Sequence, residues 1–199
     1  RRPLLVGRTE RREMTTYDVV LAAMFAALIV VLGTIPAIPI TMLPVPITLQ
    51  SMGVMLAGIV LGPKRGVAAV AILIALVAMG LPVLAGGRGG LPVFAGPTAG
   101  FLFGFLPAAF VAGIVASRLA RPVHDTSPRS FVLLALAGIV GIVGIDYLCG
   151  ILWLILVTGV APGKAAYGMV AFLPGDIVKA LVAASVALAI RRAHPIEPR

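Results

Sequence analysis

The stretch Leu173-Pro174-Gly175-Asp176-Ile177-Val178-Lys179 sets a carboxylate and an ammonium three residues apart at the mouth of an apolar segment, and Ala180 to Ile190 beyond it carries no charge. An ionised side chain at the centre of a membrane helix costs about 2.5–3.5 kcal/mol on insertion scales, so such residues persist where a substrate, ion or partner uses them. Pro174 and Gly175 suit a helix start. Asp176 then falls in the first turn, where the helix dipole favours an anion, and Lys179 shares its face. The pair offers an anionic acceptor beside a cationic donor, which suits a small molecule bearing both N–H groups and a carboxylate. On spacing alone, an ion pair that satisfies only itself is the alternative.

Few other polar groups lie in apolar surroundings. Thr48 and Gln50 fall in the second apolar segment, and Asp146 and Tyr147 fall in the middle of the fifth. Gln50 reads first as an interhelical hydrogen bond. Asp146 must be paired, protonated or facing water, because a bare carboxylate in hydrocarbon is too costly; nothing in the sequence names its partner. Tyr147 either packs with Trp153 or faces a cavity. The constellations of an enzyme are missing. His124 and His194 lie in a polar loop and the tail without a His-Glu-x-x-His motif, and Gly86-Gly87-Arg88-Gly89-Gly90 is not followed by the Gly-Lys-Ser/Thr of a phosphate loop. The single Cys149 supports neither a disulfide framework nor a cysteine metal site. We therefore expect no enzymatic activity, no metal and no bound cofactor.

The elements that must position these residues follow from composition. The 199-residue chain is 60% hydrophobic and 12% charged, with a mean hydropathy of +1.12; a soluble domain is about 25% charged. The apolar residues come in long blocks, which predicts an all-α integral membrane protein, a bundle of six transmembrane helices over roughly 17–35, 47–61, 66–80, 97–117, 131–157 and 171–190. The second and third are short for a span. They either extend into their flanks or form a hairpin that does not fully cross. Turn chemistry separates the segments: Pro36, Pro39, Pro44 and Pro46; Gly62-Pro63-Lys64-Arg65-Gly66; the Gly/Pro run from Gly80 to Pro97; the polar stretch from Arg118 to Ser130; and Ala161-Pro162-Gly163. No small-residue cleavage site follows the first segment, so it reads as a retained helix and not a signal peptide.

Charge placement orients the bundle. With the N-terminus inside, thirteen of the sixteen basic residues fall in cytoplasmic pieces, including Lys64, Arg65, Arg118, Arg121, Arg129, Arg191, Arg192 and Arg199. Only Arg88 and Lys164 fall in outer loops, and Lys179 lies at the membrane. By the positive-inside rule both termini are cytoplasmic. The chain divides into a basic N-terminal tail (1–16), a six-helix domain (17–190) and a basic C-terminal tail (191–199). The net charge of +9 sets topology and meets anionic lipid, so nucleic-acid binding is not expected. The loop Gly80–Gly96 repeats Gly-Leu-Pro-Val-(Leu/Phe)-Ala-Gly and reads either as a lid over the outer face or as a plain interfacial loop. Gly96, Gly100 and Gly104, and the pairs Ala22/Ala26 and Ala23/Ala27, have the four-residue spacing that lets helix backbones approach in lipid.

Pro44-Val45-Pro46-Ile47-Thr48-Leu49-Gln50, Leu61-Gly62-Pro63-Lys64-Arg65-Gly66, Gly90, Gly96-Pro97-Thr98-Ala99-Gly100-Phe101-Leu102 and Pro174-Gly175-Asp176-Ile177-Val178-Lys179 together resemble the biotin-transporter BioY family, in order from about Thr16 to Ile190. The resemblance implies a biotin-specific substrate-binding (S) component of an energy-coupling-factor (ECF) transporter in the bacterial cytoplasmic membrane. It implies that Asp176 binds the ureido ring and Lys179 the valerate carboxylate. Gln50 and the loop at Gly86 and Arg88 would border the pocket, and Tyr147, if it faces a cavity, is a further candidate for substrate binding. It also implies that small residues of the first helix, here Ala22, Ala23, Ala26 and Ala27, pack against an energy-coupling transmembrane subunit, with ABC-type ATPases consuming ATP in the assembly. Some relatives place an Asn in the loop where this chain has Gly86-Gly87-Arg88, and Asp146 stands where relatives look apolar. An S component for another vitamin is the nearest alternative; a small membrane enzyme is a remoter one.

Overall fold

The computed structural model describes residues 14–40, 43–120, 122–194 and 196–198. Most of the basic N-terminal tail, Arg121 and Arg199 lie outside these residues. Six helices run through the described chain: α1 (Thr16–Thr34), α2 (Gln50–Leu61), α3 (Pro63–Ala78), α4 (Ala99–Leu119), α5 (Pro128–Thr158) and α6 (Pro162–Ala193). Four of them, α1, α4, α5 and α6, are long and apolar enough to cross a membrane. The outward residues are apolar too, with Met24, Val31, Phe110, Leu152, Leu156 and Val182 all exposed. A surface of that kind belongs in lipid.

The two short helices are explained by their place in the bundle. At 1.5 Å per residue α2 is only about 18 Å long, yet it is buried almost throughout and packs against α1, α3, α4 and α6. Lining an interior, it need not match the hydrocarbon thickness. The chain flanking the α2–α3 pair on either side is largely non-helical. Before α2, the proline-rich segment closes on itself through reciprocal backbone bonds between Ile38 and Ile47 of 2.9 and 2.8 Å and buries Leu43 and Val45. After α3, residues 79–98 fold into a cap with a short 3₁₀ turn at Leu91–Ala95. Gly62, with φ 84°, is the only joint between α2 and α3. The sharp corner fits against α4, because a Cβ on Gly113 would stand 2.5 Å from the nitrogen of Pro63.

Two helices are longer than expected, and each contains an irregular turn. α5 is one helix from Pro128 to Thr158 with a π-helical stretch over Val140–Asp146. α6 begins at Pro162, nine residues before the expected start, and tightens to 3₁₀ at Val170–Phe172 before resuming at Leu173. Pro174 is therefore inside a long helix, at the start of its second regular part. Asp176 still falls in the first turn of that part.

Arg65 fixes which ends meet. At the start of α3 it pairs with Asp18 in the first turn of α1, with its Nε donating at 2.6 Å, and it donates to the Glu197 carbonyl beyond α6 at 2.9 Å. Arg191, in the last turn of α6, donates to the Ala120 carbonyl just past α4 at 2.9 Å. The start of α1 and the end of α6 thus share one end of the bundle.

Candidate functional site

Asp176 and Lys179 meet in a buried cluster rather than pointing apart. Lys179 Nζ donates to Asp176 Oδ1 at 2.7 Å and to Ser51 Oγ at 3.0 Å. Tyr147 donates its hydroxyl to Asp176 Oδ2 at 2.5 Å. Ser51 comes from the first turn of α2, Tyr147 from α5 and the ion pair from α6, so three helices converge on one carboxylate. All four residues are buried. The arrangement satisfies the pair, as a charge buried in low dielectric requires.

The pair is not sealed away, however. It lines a chamber with Val45, Thr48, Phe101, Phe105, Asp146 and Phe172 among its walls. A second, outer chamber is bounded by Gln50, Leu84, Arg88, Val93, Thr98 and Leu102. Val45, Pro46, Thr48, Phe101 and Phe105 line both, so the two adjoin across an aromatic waist. Mostly apolar walls with a few convergent polar groups are the usual lining of small-molecule sites. Counting 1.5 Å per residue from Arg191, Asp176 stands about 22 Å from the basic end of the bundle.

The outer chamber is roofed by the cap. Leu84 and Arg88 exchange backbone bonds of 3.0 and 3.2 Å, and the turn between them closes because Gly86 and Gly87 take φ of 77° and 68°. Gln50 holds this turn with both ends of its amide: Nε2 donates to the Val83 carbonyl and Oε1 accepts from the Ala85 N–H, each at 3.1 Å. It borders the outer chamber while its polar atoms are spent on the roof. Arg88 Nε donates to the Ala85 carbonyl and an Nη donates to Thr98 Oγ1, each at 3.1 Å, with the side chain lining the chamber at an exposed position. Gly86 is at the exposed tip and lines neither chamber.

Tyr147 faces the cavity and stacks edge-on against Phe172 at 6.3 Å between centroids. Trp153 instead packs on Phe103 and donates to the Gly96 carbonyl at 2.9 Å. Asp146 lies beside Tyr147 in the inner wall, and its Oδ1 is buried with no hydrogen-bond partner among the described residues. The small residues of α1 divide. Ala22 and Ala26 are buried inside the bundle and are unavailable as an outer surface, while Ala23 and Ala27 face outward. Gly100 and Gly104 pack on α5 as their spacing suggests, whereas Gly96 lies before α4 and acts through its carbonyl. Sequence reasoning missed Ser51, Phe101, Phe105 and Phe172. A hydroxyl beside Gln50 in an otherwise apolar segment was the one signal available for Ser51.

The BioY family profile matches residues 8–196. The biotin transporter BioY of Rhizobium etli is 50% identical over 186 residues, spanning 93% of this chain and 98% of that protein. The biotin transporter BioY of Rhodobacter capsulatus is 50% identical over 187 residues, spanning 89% and 95%. The crystal structure of an S-component for biotin from an ECF-type ABC transporter superposes with a TM-score of 0.80 at 32% identity, covering 93% of this chain and 98% of that one.

Proposed function

The chain belongs to the BioY family, and we infer from this that it takes up biotin as the S component of an ECF-type transporter. It is a transport protein and not an enzyme, because that is what the family is. The observation that carries the reading to particular residues is the two-chamber cavity, with a charged cluster at its inner end and a guanidinium at its outer end.

Biotin has a ureido ring at one end and a carboxylate at the other, joined by a thiophane and an alkyl tail. A single point cannot serve both ends of an extended molecule. Lys179 Nζ lies 2.7 Å from Asp176, so in our reading both work on the ureido ring, with Ser51 and Tyr147 holding them. The thiophane and tail cross the Phe101/Phe105 waist, where burial supplies most of the affinity. The carboxylate reaches Arg88, which takes the role that the resemblance implied for Lys179. Charge-assisted hydrogen bonds at the two ends then fix orientation.

Binding of biotin and of neutral biotin amide to purified variants tests this. Arg88→Ala should weaken biotin about tenfold, the size of one lost charged hydrogen bond, and leave the amide unchanged. Lys179→Ala should weaken both alike. If Lys179→Ala spared the amide and Arg88→Ala spared biotin, the assignment would be reversed. Competition with thiamine and riboflavin separates the neighbouring reading of another vitamin, and absence of saturable biotin binding would sink the function itself.

The chain crosses the bacterial cytoplasmic membrane six times with both ends inside, α2 and α3 crossing as the covered core. The site then opens outward, and biotin arrives from outside. Uptake is energised by an energy-coupling transmembrane subunit and by ABC-type ATPases, which hydrolyse ATP. The outward face of α1 at Ala23 and Ala27 is the surface offered to that subunit. The basic loops meet anionic lipid.

A further inference from the structure

Asp146 is the one buried carboxylate of the inner chamber that nothing yet explains. It is 3% exposed, it lines the chamber, and its Oδ1 has no hydrogen-bond partner among the described residues. That oxygen is pressed against α4, where a Cβ on Gly104 would stand 2.4 Å from it. The chamber wall holds two carboxylates, Asp146 and Asp176, and one ammonium, Lys179. That ammonium is already paired with Asp176 at 2.7 Å. A second ionised carboxylate would be buried without a cation beside a like charge. Asp176 already has three donors aimed at it, whereas Asp146 Oδ1 has none among the described residues. A neutral carboxylic acid has one O–H to donate, and no acceptor within the described residues takes it.

The structure assigns that acceptor to the substrate: we propose that Asp146 meets the ligand as an uncharged acid and donates its O–H to the ureido oxygen, opposite the N–H groups that Asp176 accepts. This rests on the biotin reading above. A cyclic urea presents one carbonyl acceptor flanked by two N–H donors, so an anion and an acid on one wall complement it. The π-helical stretch Val140–Asp146 ends on this residue. Such a bulge shifts the register of the helix face, and here Asp146 and Tyr147 both line the chamber.

The test combines binding with infrared difference spectroscopy on the purified full chain. Without ligand, the parent should show a protonated-acid carbonyl band that Asp146→Asn removes. Adding biotin labelled with ¹³C at the ureido carbonyl should shift both that band and the label's band. Asp146→Asn keeps an N–H donor and the side-chain size, and should hold biotin within about threefold of the parent. Asp146→Ala should bind about tenfold more weakly, as a lost hydrogen bond in a buried site costs, and the label's shift should vanish. If Asp146→Ala fails to fold, the band and the Asn variant decide. No acid band dependent on Asp146, an Asn variant as weak as Ala, or an Ala variant that binds like the parent would each overturn the proposal. Failure of the parent to bind biotin overturns the transport reading instead, while the acid band in the free protein still reports on Asp146.

Discussion

At the residue scale, the chemistry depends on which atoms share a point. Asp176 gathers a lysine, a serine and a tyrosine from three helices, so its substitution disturbs more than one bond. Asp176→Asn removes the anionic acceptor and leaves Lys179 buried without its counter-charge. We expect biotin affinity to fall by at least about tenfold, measured by equilibrium binding to the detergent-solubilised chain. Tyr147→Phe removes one donor to the same carboxylate and should cost less, about fivefold. Gln50→Ala acts differently. Its amide contacts the cap through Val83 and Ala85, so the expected effect is faster proteolysis or hydrogen exchange in residues 80–90 together with faster biotin release. Unchanged exchange in that loop would return Gln50 to direct ligand contact. The Asp176/Lys179 spacing was legible in the sequence. That the two charges contact each other directly was not, since spacing gives a shared face and no distance.

At the element scale, glycines set how closely helices approach. Gly113 faces the backbone of the α2–α3 corner, where a Cβ would be 2.5 Å from Pro63 N and 2.7 Å from Gly62 C. Backbone cannot swing aside as a flexible side chain can, so Gly113→Ala should destabilise the chain by about 1–3 kcal/mol. Gly163→Ala, with open space around it, should be neutral or slightly stabilising in the same thermal-unfolding series. The turn before α5 makes a pH prediction. Asp125 accepts from the Ser130 hydroxyl at 2.7 Å and from the Ser127 N–H and hydroxyl at 2.9 and 3.0 Å. These bonds, that of Ser130 foremost, hold its carboxyl below the usual aspartate value of 3.8. A lowered folded value means that the contribution is fully present above the unfolded value and is lost as pH falls through the folded one. Melting temperature should therefore drop on acidification below about pH 4. Asp125→Asn should start lower at neutral pH and respond less to acid. The start of α1 was readable to one residue from its apolar run, while α2 starts at Gln50, three residues after the expected 47, and α5 starts at Pro128, three residues before the expected 131. The nine-residue extension of α6 was not readable, because Lys164 and Tyr167 break the apolar run while the backbone continues.

At the scale of the whole molecule, basic residues near the helix ends fasten the bundle. Arg65 is buried against Asp18, and the Glu197 carbonyl completes its contacts, while neighbouring Lys64 is exposed. Arg65→Ala should lower the melting temperature clearly, whereas Lys64→Ala should not. Its orientation can be read with a membrane-impermeant thiol reagent in a Cys149→Ser background. Lys164→Cys should label in intact cells, and Lys64→Cys only after the membrane is opened. Labelling of both from one side would break the six-crossing topology.

The sequence by itself determined that the chain is helical and membrane-embedded, because apolar runs long enough to cross lipid leave the backbone few other ways to satisfy its hydrogen bonds. It also determined which residues are chemically unusual, since a charge in an apolar segment is visible without a fold. Tertiary structure alone decided what those residues touch. Ser51 reaches Lys179 across 128 residues of chain, and Tyr147 reaches Asp176 across 29. Ala22 faces the core while its neighbour Ala23 faces outward. Such outcomes depend on helix rotation and on the irregular turns in α5 and α6. Both are set by packing between segments remote in sequence, which local composition does not encode.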